Sequence, residues 1–353
     1  MMSQNNRGNL NHTLLANSSD NMASNVAEKK AYSYHALLGE IAEQFSHASV
    51  NASHLEQVSE WLHPATLKDL IADILKDEEL LEKIAHRSYT HALGFDKIVL
   101  MDLSKDVALA KAWKTQLRLH IWNPQKTGGL PIVESLHEHS FDFISTILTG
   151  HLENQQFDFK QLDEEQHELL NRFKAALASL DSHHREWING QIEIIEAIKL
   201  KNLGSKQLEK LGMLKDLNLV RFSQMTNMSH EDIWKLTALE GHYVSDRVAG
   251  EKKAYKHVLQ DYVSITPHAV MQLDKGDYYY HTYTLPHRLY YDNKILNSTL
   301  LLTTPVADNP EGGSLQRPSY VEHSEQHYDK ISFTVESFRA TLEEYLDYLT
   351  VNA

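Results

Sequence analysis

Apolar residues between Tyr32 and about Ile84 recur at helical spacing: Leu67, Leu70, Ile71, Ile74 and Leu75, then Leu80, Leu81 and Ile84. That repeat places one apolar stripe on each helix, and Pro64 with Thr66 stands where a helix can begin. The period then changes. Lys97 to Met101 is a short apolar run, and Leu117-Arg118-Leu119-His120-Ile121-Trp122 alternates with period two before breaking at Asn123-Pro124 and Gly128-Gly129. Phe143 to Leu148 is closed by Gly150, and Leu152 to Phe159 is placed to return as its partner. Short strands separated by turn residues predict a sandwich or a barrel.

Helical patterning returns from residue 161 to about 260. Leu169, Leu170, Phe173, Leu177 and Leu180 share one face, Ile192, Ile194, Ile195 and Ile198 continue it, and Ser229 with Asp232 resembles a capping box. A segment of about a hundred residues is too long for a bare loop and reads as a helical insertion, placed to cap the mouth of a barrel. Strand signals resume at Ala269–Leu273, turn at Lys275-Gly276-Asp277, continue through Tyr278 to Thr284, and reappear after His287 and at Thr299–Thr304. Phe338, Leu342 and Leu346, with Tyr345 beside them, fit a closing helix. The expected organisation is a disordered tail (1–30), a helical segment (31–95), half a barrel (96–160), the insertion (161–262), the second half (263–332) and a final helix (333–353).

Composition narrows the function. The 353 residues carry a net charge of −14, which argues against nucleic acid or an anionic membrane as partner. With no cysteine, disulfides, thiolate ligands and a cysteine nucleophile are excluded. The polar, Asn- and Ser-rich first thirty residues lack a signal-peptide core, and no apolar stretch reaches membrane-spanning length, so a cytoplasmic location is expected. Phosphate-binding Gly-rich loops, Ser-centred elbows and His-Glu-x-x-His helices are absent.

Histidine is the unusual residue, with 22 copies, and its placement matters more than its number. In Glu134-Ser135-Leu136-His137-Glu138-His139-Ser140-Phe141-Asp142-Phe143, the two histidines are two apart. On a strand they would face the same way and share a metal ion, with a third ligand from another strand completing a facial site. His287 is the favoured third ligand; His281, six residues earlier, shares its parity and stays a competitor. His120 is expected to be a hydrogen-bonded sheet histidine.

The His-x-His pair, followed by an apolar strand ending in Leu148-Thr149-Gly150, resembles the first motif of the cupin superfamily. Leu285-Pro286-His287-Arg288-Leu289, with the run Thr299–Pro305 after it, resembles the second. The resemblance covers residues 117–159 and 268–305, under a third of the chain. It implies an α+β protein built on a cupin-type jelly-roll β-barrel, with the helical insertion between its two metal motifs. Many cupins carry a glutamate ligand four or five residues after the pair, where this chain has Phe143 and Ile144, and Asp142 has the wrong strand parity. A three-histidine site without carboxylate resembles that of the thiol (cysteine) dioxygenases, whose second motif also has a His-Arg pair like His287-Arg288. Two departures stand against that activity: no cysteine is present for a cysteine–tyrosine crosslink, and Thr303 occupies the position of the catalytic tyrosine.

The resemblance thus implies a mononuclear non-haem iron(II) oxygenase with His137, His139 and His287 as ligands. Its partners would be dioxygen and a small polar metabolite of amino-acid or thiol-acid type. Tyr283, Arg118 and Arg288 are the candidate catalytic or substrate-orienting residues. Two other readings remain: a zinc or manganese cupin isomerase or lyase, and a non-catalytic small-molecule-binding cupin. A homodimer is compatible with either.

Overall fold

The computed structural model of this chain describes residues 31–46, 48–91, 94–107, 115–127, 132–133, 136–139, 141–206, 217–247, 255–291, 294–305, 313–316 and 331–351. The tail 1–30 lies outside the described residues.

Four helices come first: α1 (Tyr34–Phe45), α2 (Leu55–Trp61), α3 (Pro64–Lys76) and α4 (Glu78–Arg87). Their boundaries follow from local chemistry. His63 caps α3, with Pro64 in the first turn, where a missing N–H costs nothing. Asp77 caps α4, which carries Glu78 and Glu79 at its start and His86 and Arg87 at its end, complementing the helix dipole. The strands then alternate with short helices: β1 (Tyr89–Thr90), β2 (Asp96–Asp102), α5 (Leu103–Asp106), β3 (Gln116–Trp122), α6 (Pro124–Thr127), β4 (Ile132–Val133), β5 (Phe141–Thr149) and β6 (His151–Gln161). The insertion supplies α7 (Glu164–Ala178), α8 (Ser182–Lys201), α9 (Leu219–Thr226) and α10 (His230–Leu236). The chain closes with β7 (Leu239–Arg247), β8 (Tyr255–Asp274), β9 (Tyr278–His281), β10 (His287–Tyr291), β11 (Asn297–Pro305), β12 (Gly313–Gln316), β13 (Ile331–Ser332) and α11 (Val335–Val351).

These strands form two antiparallel sheets, β13-β1-β2-β3-β11-β5-β9 and β12-β7-β8-β6-β10-β4, curled around a shared core as a half-barrel. Period-two alternation sorts the side chains. On the first sheet Leu117, Leu119, Ile121, Ile144, Leu148, Leu300 and Leu302 face α1–α4 and α11 and join their core. The alternate residues Trp122, Phe143, Ile147 and Leu301 meet Leu152, Met271, Leu273, Leu289 and Tyr291 of the second sheet. Strands buried on both faces explain why β5 and β11 read as nearly continuous apolar runs.

One glycine at the crossing between sheets is required. Gly150 has φ +73°, and a Cβ there would lie 2.1 Å from Asn297 Oδ1. That oxygen instead accepts the His151 N–H at 2.9 Å, which fastens the β5–β6 turn to β11.

The insertion differs from its sequence reading. Its helices end at Leu236 and strands resume with β7 at Leu239, where the sequence reading kept the insertion helical to 262. The helices form their own core, including Leu169, Phe173, Ile188, Ile195, Phe222 and Ile233. They also lie against the outer face of the second sheet: Gln166 Nε2 donates to Ser264 Oγ at 3.2 Å, and Glu196 pairs with Arg288 at 2.7 Å. These contacts put α7 and α8 behind the sheet, where sequence reading placed a cap over the barrel mouth. Among the described residues no helix is long and apolar enough to cross a membrane.

Candidate metal centre

His137 and His287, 150 positions apart in the chain, are joined by reciprocal backbone hydrogen bonds. His137 N–H donates to His287 O, and His287 N–H donates to His137 O, both at 2.9 Å. Residues paired in this way present their side chains on the same face. The contact is an isolated bridge. The His-x-His pair therefore sits in the approach to β5, outside the named strands, where period-two reading put it on a strand, and a single ladder rung brings the two motifs together.

The three imidazoles converge. One ligand atom from each of His137, His139 and His287 lies within 4.8 Å of the others, and together they could hold a metal ion. His139 Nε2 and His287 Nε2 are 2.9 Å apart. Two nitrogens each about 2.1 Å from one ion and at right angles would be about 3 Å apart, so this spacing fits two cis ligands of a facial site. The rings of His137 and His139 meet edge to face at 4.7 Å between centroids, and His287 lies 4.7 Å from the first and 5.0 Å from the second.

The electrostatics keep the His139 and His287 rings neutral, the form that binds metal. Burial first, then His137, His281, Arg118 and Lys97, push the His139 pKa well down. Burial, His281, His137 and His139 do the same to His287. Two further polar contacts frame the site. The His287 Nδ1–H donates to Asn154 Oδ1 at 2.9 Å. His281 donates through Nε2 to the Leu285 carbonyl at 3.0 Å, and its Nδ1 accepts from Gln156 Nε2 at 3.2 Å. Both ring nitrogens of His281 are thus committed. Its ring is tilted against that of His287, 4.1 Å between centroids, and the cluster able to hold a metal contains His287 and not His281.

Other residues singled out from the sequence fall in different places. Arg118 is brought near the cluster: its guanidinium lies 4.6 Å over the Phe141 ring, and Phe141 stacks on His139 at 4.6 Å. Burial lowers its pKa to about 10, so it remains a cation at neutral pH. Arg288 is not brought there. Adjacent strand residues face opposite ways, and its Nε donates to Gln155 Oε1 at 2.6 Å while another nitrogen pairs with Glu196 behind the sheet. Tyr283 lies in the turn after β9. Its backbone N–H donates to Asp142 Oδ1 at 2.8 Å, and its phenol neighbours that of Tyr280. Asp142 is accordingly turned away from the metal cluster, as its parity predicted. His120 departs from the expectation of a hydrogen-bonded sheet histidine: its Nε2 is buried without a hydrogen-bond partner, between the rings of Phe95 and Trp122.

Sequence reading missed Asn154, Gln156 and Phe141. A signal was available in β6, where Glu153-Asn154-Gln155-Gln156 is an unbroken polar run, all of it buried. Buried polar side chains need partners, and here the partners on the inner face are histidines.

The fold and the cluster define a mixed α/β protein with a curled antiparallel half-barrel and three histidines able to hold a metal ion. No family model matches this chain, and a search of curated proteins finds no relative.

Proposed function

We propose that this protein is a mononuclear non-haem iron(II) oxygenase of the cupin type, acting on a small polar metabolite of amino-acid or thiol-acid character. The observation that carries the reading is the carboxylate-free set His137, His139 and His287, with two Nε2 atoms at a cis-ligand spacing. Support for a jelly-roll cupin comes from the arrangement of the sheets. The cluster lies where the approach to β5 meets the start of β10, against the inner face shared by both. A ferrous ion bound there would supply the electron-transfer chemistry needed to reduce dioxygen, with open positions left by only three protein ligands.

The chain's own groups would do the rest. Phe141 and Phe143 pack against His139 and would give the cluster an apolar wall. Arg118 supplies a positive charge within electrostatic reach of His139, suited to hold a substrate carboxylate. The test is anaerobic loading with iron(II), followed by oxygen-electrode screening of amino and thiol acids. Substrate-dependent oxygen uptake, abolished in His287→Ala and showing a raised KM in Arg118→Gln, is the expected result. A folded, iron-loaded protein that consumes no oxygen with any of them contradicts the proposal. A three-nitrogen set also suits zinc or manganese as a Lewis acid; turnover without oxygen uptake would move the assignment to an isomerase or lyase.

A further inference from the structure

The polar run in β6 does more than fill space. In the antiparallel register Asn154 is opposite Leu289 and Gln156 is opposite His287, so both amides share the inner face with the His287 ring. Asn154 is fully buried, and its Oδ1 lies 2.9 Å from His287 Nδ1. A carbonyl oxygen only accepts, so Nδ1 must carry the proton. A neutral imidazole has one N–H, and placing it on Nδ1 leaves the lone pair on Nε2. That Nε2 is the atom facing His139. The neighbouring His281 is treated in the opposite way, with its Nε2 proton taken by the Leu285 carbonyl and its Nδ1 lone pair taken by Gln156.

A second observation shows that this arrangement is not simply good packing. Asn154 Nδ2 is buried and has no hydrogen-bond partner. A carboxamide that satisfies one polar atom and strands the other is a poor choice for stability alone, since an apolar residue of similar shape would strand neither. The choice is intelligible if the oxygen is needed by His287.

Resting on the metal reading of the three-histidine cluster, we infer that Asn154 is the positioning residue that presets His287 as a ligand. It fixes the tautomer and the ring plane before any ion arrives. A neutral amide does this without placing a negative charge on the far side of the ring, so the centre keeps the full positive charge of its ion for an anionic substrate. A carboxylate in the same place would hold the ring equally well and make it a stronger donor.

The experiment measures zinc(II) and cobalt(II) affinity by chelator competition for the full chain, Asn154→Leu and Asn154→Asp. Imidazole nitrogen NMR of the metal-free proteins reads the tautomer of His287. Asn154→Leu is expected to weaken metal binding about 10- to 100-fold and to lose the Nδ1–H preference, while unfolding no earlier than wild type without metal. Asn154→Asp should bind at least as tightly as wild type, and it keeps the test open if the leucine variant does not fold. Wild-type affinity in Asn154→Leu, or weakening in Asn154→Asp equal to that in Asn154→Leu, overturns the inference and leaves the metal site standing. A wild type that takes up neither ion overturns the metal reading itself, and the positioning role with it.

Discussion

Glu240, the second residue of β7, makes a prediction that can be worked through in numbers. Its side chain is only 4% exposed and lines a small cavity beneath the insertion, with Leu170 and Phe173 of α7, Asn189 and Ile192 of α8, Leu236, Thr237 and Leu239. Among the described residues no hydrogen-bond donor reaches the carboxyl; burial raises its pKa from 4.5 to about 8, and the attraction of Arg288 offsets only part of that rise. The folded chain therefore holds a proton that the unfolded chain releases above pH 4.5. Between pH 4.5 and about 8 the native state binds more protons than the unfolded state, so stability falls as pH rises, and the loss is complete above the folded-state pKa. At about 1.4 kcal/mol per pH the full interval is worth roughly 5 kcal/mol, an upper bound because water can enter or the helices can shift. Glu240→Gln keeps the shape and cannot ionise. Urea unfolding of both proteins at pH 5 and pH 8.5 should show the wild type losing about 3–5 kcal/mol more than the variant, with every other titrating group cancelling in the comparison. Parallel pH dependence in the two proteins would refute the reasoning.

Two further perturbations probe how the sheets are joined and backed. Gly150→Ala combines a left-handed backbone with a Cβ 2.1 Å from Asn297 Oδ1; about 1–2 kcal/mol for the backbone plus about 1 kcal/mol for the displaced His151–Asn297 bond predicts a loss of roughly 2–3 kcal/mol. Gly276, at φ +94° with open space around it, is the control, and Gly276→Ala should show the backbone cost alone in the same urea titration. Equal losses would mean that the Asn297 contact is unimportant. Arg288→Met removes the charge partner of Glu196, whose side chain is 6% exposed beside an arginine at 9%, and should cost about 3–5 kcal/mol. Adding Glu196→Leu should restore most of it; a double variant as unstable as the single would show that the pair acts through something other than its charges.

Much of this architecture was legible in the sequence because burial writes itself in periods. Leu67 to Ile84 could be read as helices since each must turn one stripe to the first sheet, and Leu117 to Trp122 as a strand since alternate residues belong to different cores. The metal cluster was legible because two histidines two apart and a third in a Pro-His-Arg-Leu run are unusual enough to stand out. What escaped is what depends on pairing across long separations. β7 and β8 pair with each other and with β6 across long separations, so neither looked like a strand until its partner was known. The choice between His281 and His287 could not be made from parity, because both point inward. What distinguishes them is that Gln156 and the Leu285 carbonyl occupy both nitrogens of the former. Arg288 was read as a site residue from its position beside His287, yet that adjacency on a strand is what turns it to the opposite face. Tyr283 fell outside the site because β9 ends at His281, two residues before it, and the turn hands its backbone N–H to Asp142.

The central claim is that His137, His139 and His287 bind one metal ion. The most direct test is metal analysis of the full chain purified without chelators, beside His137→Ala and His287→Ala, each also reconstituted with iron(II) under anaerobic conditions. About one equivalent per chain in the wild type, falling by more than tenfold in both variants while their circular dichroism is unchanged, is the predicted result. A reconstituted wild type that holds no metal, or variants that hold as much as the wild type, would contradict it.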